Sequence, residues 1–222
     1  MNRAAFIRAN TRLLSPPLVP ELKLHLADAA VPLWQKTEEE LGEIGLPPPF
    51  WAFAWAGGQA LARHILDHPE IIRGRSVIDL ASGSGLVGIA ALMAGAERVL
   101  AADIDRFAVV AITLNAALNF PPPCGEGNLS VSSGDILLTP PPPADVILVG
   151  DLFYEKDLAA RVYNWLRQAE RQGSAVLIGD PGRSYLPREK LEKLGEYQVP
   201  VTRDLEDAEI KQTAVWRLAR NC

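Results

Sequence analysis

The sequence predicts an α/β fold with a mostly parallel seven-stranded sheet, helices on both faces and a C-terminal antiparallel hairpin. Three observations support this prediction. Residues 77–91 form a strand pattern, a glycine turn and an apolar helix pattern; strand and helix patterns then alternate; and two further strand patterns close the chain. Because crossovers between parallel strands are right-handed, we expect the carboxyl ends of the first four strands to meet at one edge.

Hydrophobic periodicity and the positions of glycine and proline predict the individual elements. The parallel strands are expected at residues 77–80, 98–102, 129–132, 145–149 and 175–179, and the closing pair at 196–202 and 213–218. Long helices are expected at 57–67, 86–93, 106–119 and 157–171, with short helices at 21–30, 35–41 and 188–194. Residues 1–50 are then expected to form a helical N-terminal arm, and residues 51–222 the main α/β domain of a single compact chain.

Composition limits the class of protein. The chain has 222 residues, of which 48% are hydrophobic and 22% charged, as expected for one domain with a full core. The net charge of −5 disfavours a nucleic-acid backbone as the partner, because phosphate binding needs a basic surface. No apolar stretch approaches the length of a membrane span, so we expect neither a nucleic-acid nor a membrane partner.

Cysteine content and the N-terminal residues bear on localisation. The two cysteines, Cys124 and Cys222, are far apart, which argues against a disulfide framework and favours the cytoplasm. Arg3, Arg8 and Arg12 occur without an acidic residue in the first twenty, a composition that mitochondrial presequences share. Prolines 16, 17 and 20 interrupt any long helix there, so a mitochondrial location is the minor alternative.

The sequence predicts no metal site. His64 and His68 have the i, i+4 spacing of a zinc pair, but no glutamate lies between them and no third ligand is evident. We therefore expect them on a solvated helix face.

The stretch at residues 77–91 predicts a nucleotide-type ligand. Gly83, Gly85 and Gly88 form G-x-G-x-x-G between a strand and a helix, where backbone N–H groups can meet a ligand closely. This pattern alone also fits a tight turn without a ligand. Asp103 follows the next strand at the spacing of a ribose-binding carboxylate, and Asp79 is suited to a cationic ligand such as S-adenosylmethionine.

Four acidic residues at the predicted edge receive separate roles. Asp103 is expected to accept from the ribose hydroxyls, and Asp135 from the adenine amine. Asp79, with the N–H groups around Gly83 and Gly85, is suited to the methionine end of the cofactor.

The fourth acid, Asp151, is expected beside an attacking nitrogen, where it would stabilise the positive charge that develops during methyl transfer. It is assigned to positioning and electrostatics more than to general-base catalysis, because a carboxylate also favours the protonated, unreactive amine. Phe153 and Tyr154 are expected to form an apolar wall around a long side chain. Trp55 is expected to line the cofactor cleft, and Asp151 is also counted among the cofactor-binding residues.

Six segments resemble the seven-β-strand, class I protein-lysine methyltransferases. They are PPFWAFAWAGGQAL at 48–61, VIDLASGSG at 77–85, AADID at 101–105, AITLN at 111–115, GDLFYE at 150–155 and GDPGR at 179–183. The resemblance covers nearly the whole chain from about residue 21. It implies S-adenosylmethionine as cofactor and methylation of lysine ε-amines, with residues 151–154 as the D-x-x-Y/F motif beside the target lysine. The implied protein substrates are the β-subunit of electron transfer flavoprotein, or a similar protein such as a ribosomal protein, and we expect a monomeric enzyme.

Other functions fit parts of the pattern. A small-molecule N-methyltransferase, similar to nicotinamide N-methyltransferase, would need a closed pocket over Asp151 rather than an open groove. An NAD-dependent oxidoreductase would share the glycine turn, but Asp79 and the absence of a second catalytic domain disfavour it. A non-catalytic nucleotide-binding module is disfavoured by the presence of Asp151 and Tyr154.

Overall fold

The computed structural model describes residues 2–27, 48–120, 128–201 and 209–219. Within these ranges the helices are α1 (Arg3–Asn10), α2 (Ala56–Asp67), α3 (Leu86–Met93), α4 (Arg106–Asn119) and α5 (Lys156–Arg171). The strands are β1 (Arg12–Leu14), β2 (Leu24–Leu26), β3 (Ser76–Leu80), β4 (Arg98–Ala102), β5 (Leu129–Ser132), β6 (Val146–Gly150), β7 (Ala175–Asp180), β8 (Leu191–Pro200) and β9 (Ile210–Leu218).

The main sheet has seven strands in the order β5-β4-β3-β6-β7-β9-β8. The first five are parallel, and β9 runs antiparallel to both β7 and β8. The order reverses direction between β3 and β6, which places the ligand-binding crevice beyond the carboxyl ends of these strands. This topology confirms the predicted α/β fold and its antiparallel hairpin.

The N-terminal segment differs from the prediction. The helix expected at 21–30 is replaced over Leu24–Leu26 by strand β2, which pairs antiparallel with β1. Tertiary contacts override the helical periodicity here, because all three residues of β2 are buried and the N–H of His25 donates to Oδ1 of Asn115 in α4 at 2.7 Å. The arm is therefore helical only in α1 among the described residues, and the helix predicted at 35–41 lies outside them.

The segment after β7 is the second difference. The helix predicted at 188–194 is a single 3-10 turn at Arg188–Lys190, and strand β8 begins at Leu191. Pairing explains the early strand, since Leu191 already lies opposite Leu218 of β9. The remaining long helices and the parallel strands begin and end within one residue of their predicted bounds.

The sheet separates two hydrophobic clusters. Helices α2 and α3 cover one face, where Leu61 and Ile89 are fully buried. Helix α5 covers the other face with Val162, Trp165 and Leu166. Within the described ranges, no helix has both the length and the apolar character needed to cross a membrane.

Two glycines allow the start of helix α2 to lie directly against the carboxyl end of the sheet. A Cβ atom added at Gly179 in β7 would fall 2.1 Å from the carbonyl oxygen of Gly57, and one added at Gly57 would fall 2.2 Å from the carbonyl oxygen of Gly179. Neither backbone atom can move away like the end of a flexible side chain. The contact therefore requires glycine on both elements, and it brings the first amides of α2 to the ligand edge.

We predict that Gly179→Ala destabilises the fold by about 3 kcal/mol, because the new methyl group meets backbone rather than open space. Urea denaturation measures the change in the free energy of unfolding. Gly134→Ala is the matched control, since a Cβ atom at Gly134 meets nothing within 4 Å. Equal stability of the two variants would contradict the close approach of α2 to β7.

Candidate active site

The glycine turn after β3 is held by Asp79. This carboxylate is almost completely buried and accepts hydrogen bonds from the Ser82 hydroxyl and, at 2.8 Å, from the N–H of Gly88. Gly83 and Gly85 have φ angles of +56° and +84°, in the left-handed region that favours glycine. Asp79 thus shapes the turn from inside, and its predicted role toward the methionine end of the cofactor stays a prediction.

Burial raises the pKa of Asp79 to about 7, against the hydrogen bonds from Ser82 and Gly88, which lower it. Water solvates a carboxylate better than the protein interior does, so the neutral acid is favoured once the group is buried. The Asp79 carboxyl beneath the glycine turn therefore changes its protonation state close to neutral pH.

Asp103 links the turn to the next strand. It follows β4, and its carboxylate accepts the N–H of Gly83 at 2.8 Å and the N–H of Asp105 at 2.9 Å. Burial is the largest effect on this group and raises its pKa. Because each carboxylate oxygen can accept a second hydrogen bond, these contacts leave Asp103 able to accept from ribose hydroxyls.

Asp135 lies just after β5, at the same edge of the sheet as Asp103. It accepts from the N–H of Leu137 at 3.0 Å and forms an ion pair with Arg161 of α5 at 2.7 Å. The carboxylate is thus oriented by its own turn and by one helix. Its predicted contact with the adenine amine stays a prediction.

Asp151 follows β6 in a strained conformation. Its φ angle is +55°, which is uncommon for a residue other than glycine and costs energy that the surrounding structure must supply. This turn aims the side chain at the start of α2, where the N–H of Gly58 donates to Oδ2 at 3.0 Å. The other oxygen, Oδ1, accepts from Nη2 of Arg183 at 2.9 Å.

The environment of Asp151 perturbs its ionisation. Burial raises the pKa, the Arg183 guanidinium lowers it and the nearby charge of Asp180 raises it, with a result of about 6. Only 9% of the residue is exposed. Asp151 is thus a nearly buried carboxylate that stays ionised at neutral pH with the help of one cation.

An aromatic rim, formed by Phe50, Trp55 and Tyr154, lies beside this carboxylate. The Phe50 ring centroid is 5.7 Å from that of Trp55 and 5.9 Å from that of Tyr154, and Nε1 of Trp55 donates to the carbonyl oxygen of Phe50. Phe50 and Tyr154 are 41% and 46% exposed. An apolar, exposed rim next to a buried anion fits a long side chain that ends in a positive charge.

Phe153 has a different position from the one predicted. It is fully buried and packs in the cluster under α5, so its ring supports the sheet and does not line an open cleft. Leu152 is buried in the same cluster, so the segment after β6 turns both of these side chains toward the core. Of the predicted wall, only Tyr154 reaches the surface.

Two residues without a sequence-based role belong to the site. Asp180 ends β7, and its Oδ1 accepts the N–H of Gly182 at 2.6 Å and the N–H of Arg183 at 2.7 Å. This turn places Arg183 on Asp151 and over the Trp55 ring, with 5.7 Å between the guanidinium carbon and the ring centroid. The G-D-P-G-R segment at 179–183 is the signal that marks the turn, but it does not reveal the partner of Arg183.

The histidine pair also departs from expectation. His64 is buried and its Nδ1 lies 2.9 Å from the Tyr197 hydroxyl, so only His68 is on a solvated face. Among the residues that the structure describes, no group of three or more His, Cys, Asp or Glu side chains could hold a metal ion.

Comparisons with known proteins show the family of the chain. A family model for ribosomal protein L11 methyltransferase (PrmA) matches residues 61–150. The electron transfer flavoprotein beta subunit lysine methyltransferase of Mus musculus is 40% identical over 96% of this chain and 82% of its own length. The chain belongs to this lysine methyltransferase family. The homolog from Caenorhabditis elegans is 34% identical over 92% of this chain and 86% of its own length.

Solved structures support the same fold. Magnesium protoporphyrin IX methyltransferase from Synechocystis PCC 6803, determined with bound S-adenosylmethionine, superposes with a TM-score of 0.52 at 14% identity, covering 73% of this chain and 80% of that one. At this identity the likeness shows the class I methyltransferase fold alone. Together with family membership, it identifies the chain as an S-adenosylmethionine-dependent methyltransferase.

The residues present fit this cofactor. A Cβ atom at Gly83 would lie 4.0 Å from the carbonyl oxygen of Phe50 and from Cα of Trp51 and would meet nothing closer, so no atom of the fold crowds the space in front of this backbone. Asp103 supplies a carboxylate next to that space, and the start of α3 adds backbone N–H groups. These groups would hold the nucleoside and the amino acid end, and the cofactor supplies an electrophilic methyl group on its sulfonium.

We predict that Asp79→Asn removes part of the pH dependence of stability. Because the pKa of Asp79 is higher in the folded chain than in the unfolded chain, its contribution is complete below about pH 4 and is lost as the pH rises through about 7. The wild type should lose roughly 1.4 kcal/mol for each pH unit in this window relative to the variant. Denaturation from pH 4 to pH 8 measures this difference.

The exposed Glu97→Gln variant is the control, since it should keep the wild-type pH dependence. If Asp79→Asn also keeps it, the carboxylate is ionised throughout and the buried, protonated acid is excluded.

Proposed function

We propose that this enzyme methylates lysine ε-amines of the β-subunit of electron transfer flavoprotein. The observation that carries the proposal is the nearly buried Asp151 carboxylate beside the exposed aromatic rim of Phe50, Trp55 and Tyr154. The printed names of the relatives supply the identity of the protein substrate.

The exposure of the rim favours a protein over a small molecule. Phe50 and Tyr154 keep two-fifths or more of their surface accessible, so a lysine that projects from another protein can lay its methylene stem on them. A small-molecule substrate would instead need a closed pocket over Asp151.

Asp151 has two tasks in this proposal. Its negative charge orients the target nitrogen, and it stabilises the positive charge that this nitrogen gains in the transition state. An ionised lysine has a pKa near 10.4 in water, so the amine must lose a proton before it can attack. The aromatic rim removes the lysine stem from water, which lowers the pKa of the amine. Asp151 has the opposite effect, because a nearby carboxylate raises that pKa.

Localisation and oligomeric state stay proposals. We propose a monomeric, cytoplasmic enzyme; for the localisation, the relevant contacts are those of Phe6 and Ile7 of α1, which are buried against α4 and belong to the packed fold. Those contacts favour retention of α1 in the functional enzyme over its removal as part of a presequence.

Purified enzyme, tritiated S-adenosylmethionine and recombinant electron transfer flavoprotein test the substrate directly. We expect label on the β-subunit and methylated lysine in its peptides by mass spectrometry. Label only in another protein of a cell extract would replace the substrate, and label only in small molecules would establish an N-methyltransferase of that class.

We predict that Asp151→Asn lowers kcat at least about a hundredfold, the usual loss when a group that stabilises transition-state charge is removed. Cofactor affinity, measured by calorimetry, should stay close to the wild-type value because Asp151 contacts α2 and Arg183 rather than the glycine turn. Glu155→Gln is the control, as it changes an exposed acid four residues away. Normal turnover of Asp151→Asn would remove the proposed role.

A further inference from the structure

We propose that the Arg183 guanidinium occupies the place of the substrate's ammonium in the free enzyme and that the target lysine displaces it. The inference rests on the proposed function, since it concerns how a lysine reaches Asp151. It makes Arg183 a positioning residue that the substrate must replace.

The contacts of Arg183 match those expected for the target lysine. Its Nη2 lies 2.9 Å from Oδ1 of Asp151, and its guanidinium carbon lies 5.7 Å from the centroid of the Trp55 ring. A cation between a carboxylate and an aromatic face is the arrangement proposed for the lysine ammonium. The enzyme's own arginine already provides it.

The two oxygens of Asp151 have different partners. Oδ2 accepts the N–H of Gly58 inside the fold and Oδ1 accepts the Arg183 guanidinium, so an amine that takes the place of Arg183 binds at Oδ1. The Asp151 side chain is 9% exposed and the Arg183 side chain 23%, which places the arginine between the carboxylate and solvent. An incoming amine therefore competes with the guanidinium for Oδ1.

The backbone of Arg183 is anchored independently of its side chain. The N–H groups of Gly182 and Arg183 both donate to Asp180, which is 1% exposed, and Gly182 has a φ angle of +94°. The turn can thus keep its shape when the long side chain rotates away. In contrast, Asp151 is held by the Gly58 amide and stays in place.

The contact with Arg183 affects the ionisation of Asp151. A buried carboxylate without a partner favours its protonated form, and burial already raises the pKa of Asp151. Arg183 keeps the group ionised until the substrate arrives. Because a substrate must displace Arg183, isolated amines bind more weakly. A protein that makes further contacts with the enzyme is therefore favoured over free lysine.

The first test is binding of n-butylammonium, which mimics the lysine side chain, to enzyme without cofactor. At about pH 9 the amine is still mostly protonated. We expect Arg183→Gln to bind it roughly tenfold more tightly than the wild type, the effect of one charge-assisted hydrogen bond becoming available. Calorimetry measures both affinities.

Two variants complete this test. The double variant Arg183→Gln/Asp151→Asn should return to weak binding, and the exposed Arg171→Gln should match the wild type. Unchanged or weaker binding by Arg183→Gln would overturn the proposal, because it would mean that Arg183 does not compete with the amine.

The second test uses Arg183→Lys, which keeps a cation at this position but makes it a possible methyl acceptor. With S-adenosylmethionine, the carbon–sulfur bond breaks as a carbon–nitrogen bond forms at position 183; the sulfonium becomes a neutral thioether and the proton from nitrogen goes to water. We expect peptide mass spectrometry to find methylation at position 183, and its loss when Asp151→Asn is added.

Absence of methylation at position 183 in a variant that still modifies electron transfer flavoprotein would overturn the inference and leave the proposed function intact. Absence of wild-type activity on any protein would instead remove the proposed function, while the butylammonium measurement would still decide the role of Arg183. The two failures are therefore distinguishable.

Discussion

The bonds of the Asp151 carboxylate hold the active-site edge together. One oxygen accepts an amide at the start of α2, and the other accepts the guanidinium of Arg183 from the turn after β7. Three chain segments that are distant in sequence thus meet at one buried anion. The meeting is possible only because Gly57 and Gly179 allow α2 and β7 to approach within backbone contact. The left-handed conformation of Asp151 is the strained element that this packing supports.

The other acids at this edge follow the same principle. Asp79 and Asp103 each accept a backbone N–H of the glycine turn or of α3, and burial raises the pKa of both. The hydrogen bonds of these carboxylates shape the turn that would contact the cofactor. The carboxylates need these partners because leaving a buried carboxylate unpaired costs free energy. Asp103 has oxygen lone pairs left for the ribose, whereas Asp79 acts from beneath the turn.

Much of the fold could be predicted from the sequence, because hydrophobic periodicity and glycine positions are local signals. Strands β4 and β5 and helix α4 have the predicted bounds. The predictions fail where residues distant in the sequence determine the local structure. Strand β2 forms against β1 and α4, and β8 begins early because Leu191 pairs with Leu218. At the site, motifs predicted which acids gather at the edge, but the φ angle of Asp151, the burial of Phe153 and the Arg183 contact depend on packing between segments.

A carbon-13 NMR titration of the aspartate carboxyl groups, with Asp151→Asn to assign the resonance, tests this account most directly. A buried Asp151 held between the Gly58 amide and Arg183 predicts a pKa of about 6 in the free enzyme. The pKa should rise further in Arg183→Gln, because the guanidinium lowers it. A pKa that this substitution leaves unchanged would mean that Arg183 does not pair with the carboxylate, and it would contradict both the contact that holds the edge together and the proposed role of Arg183.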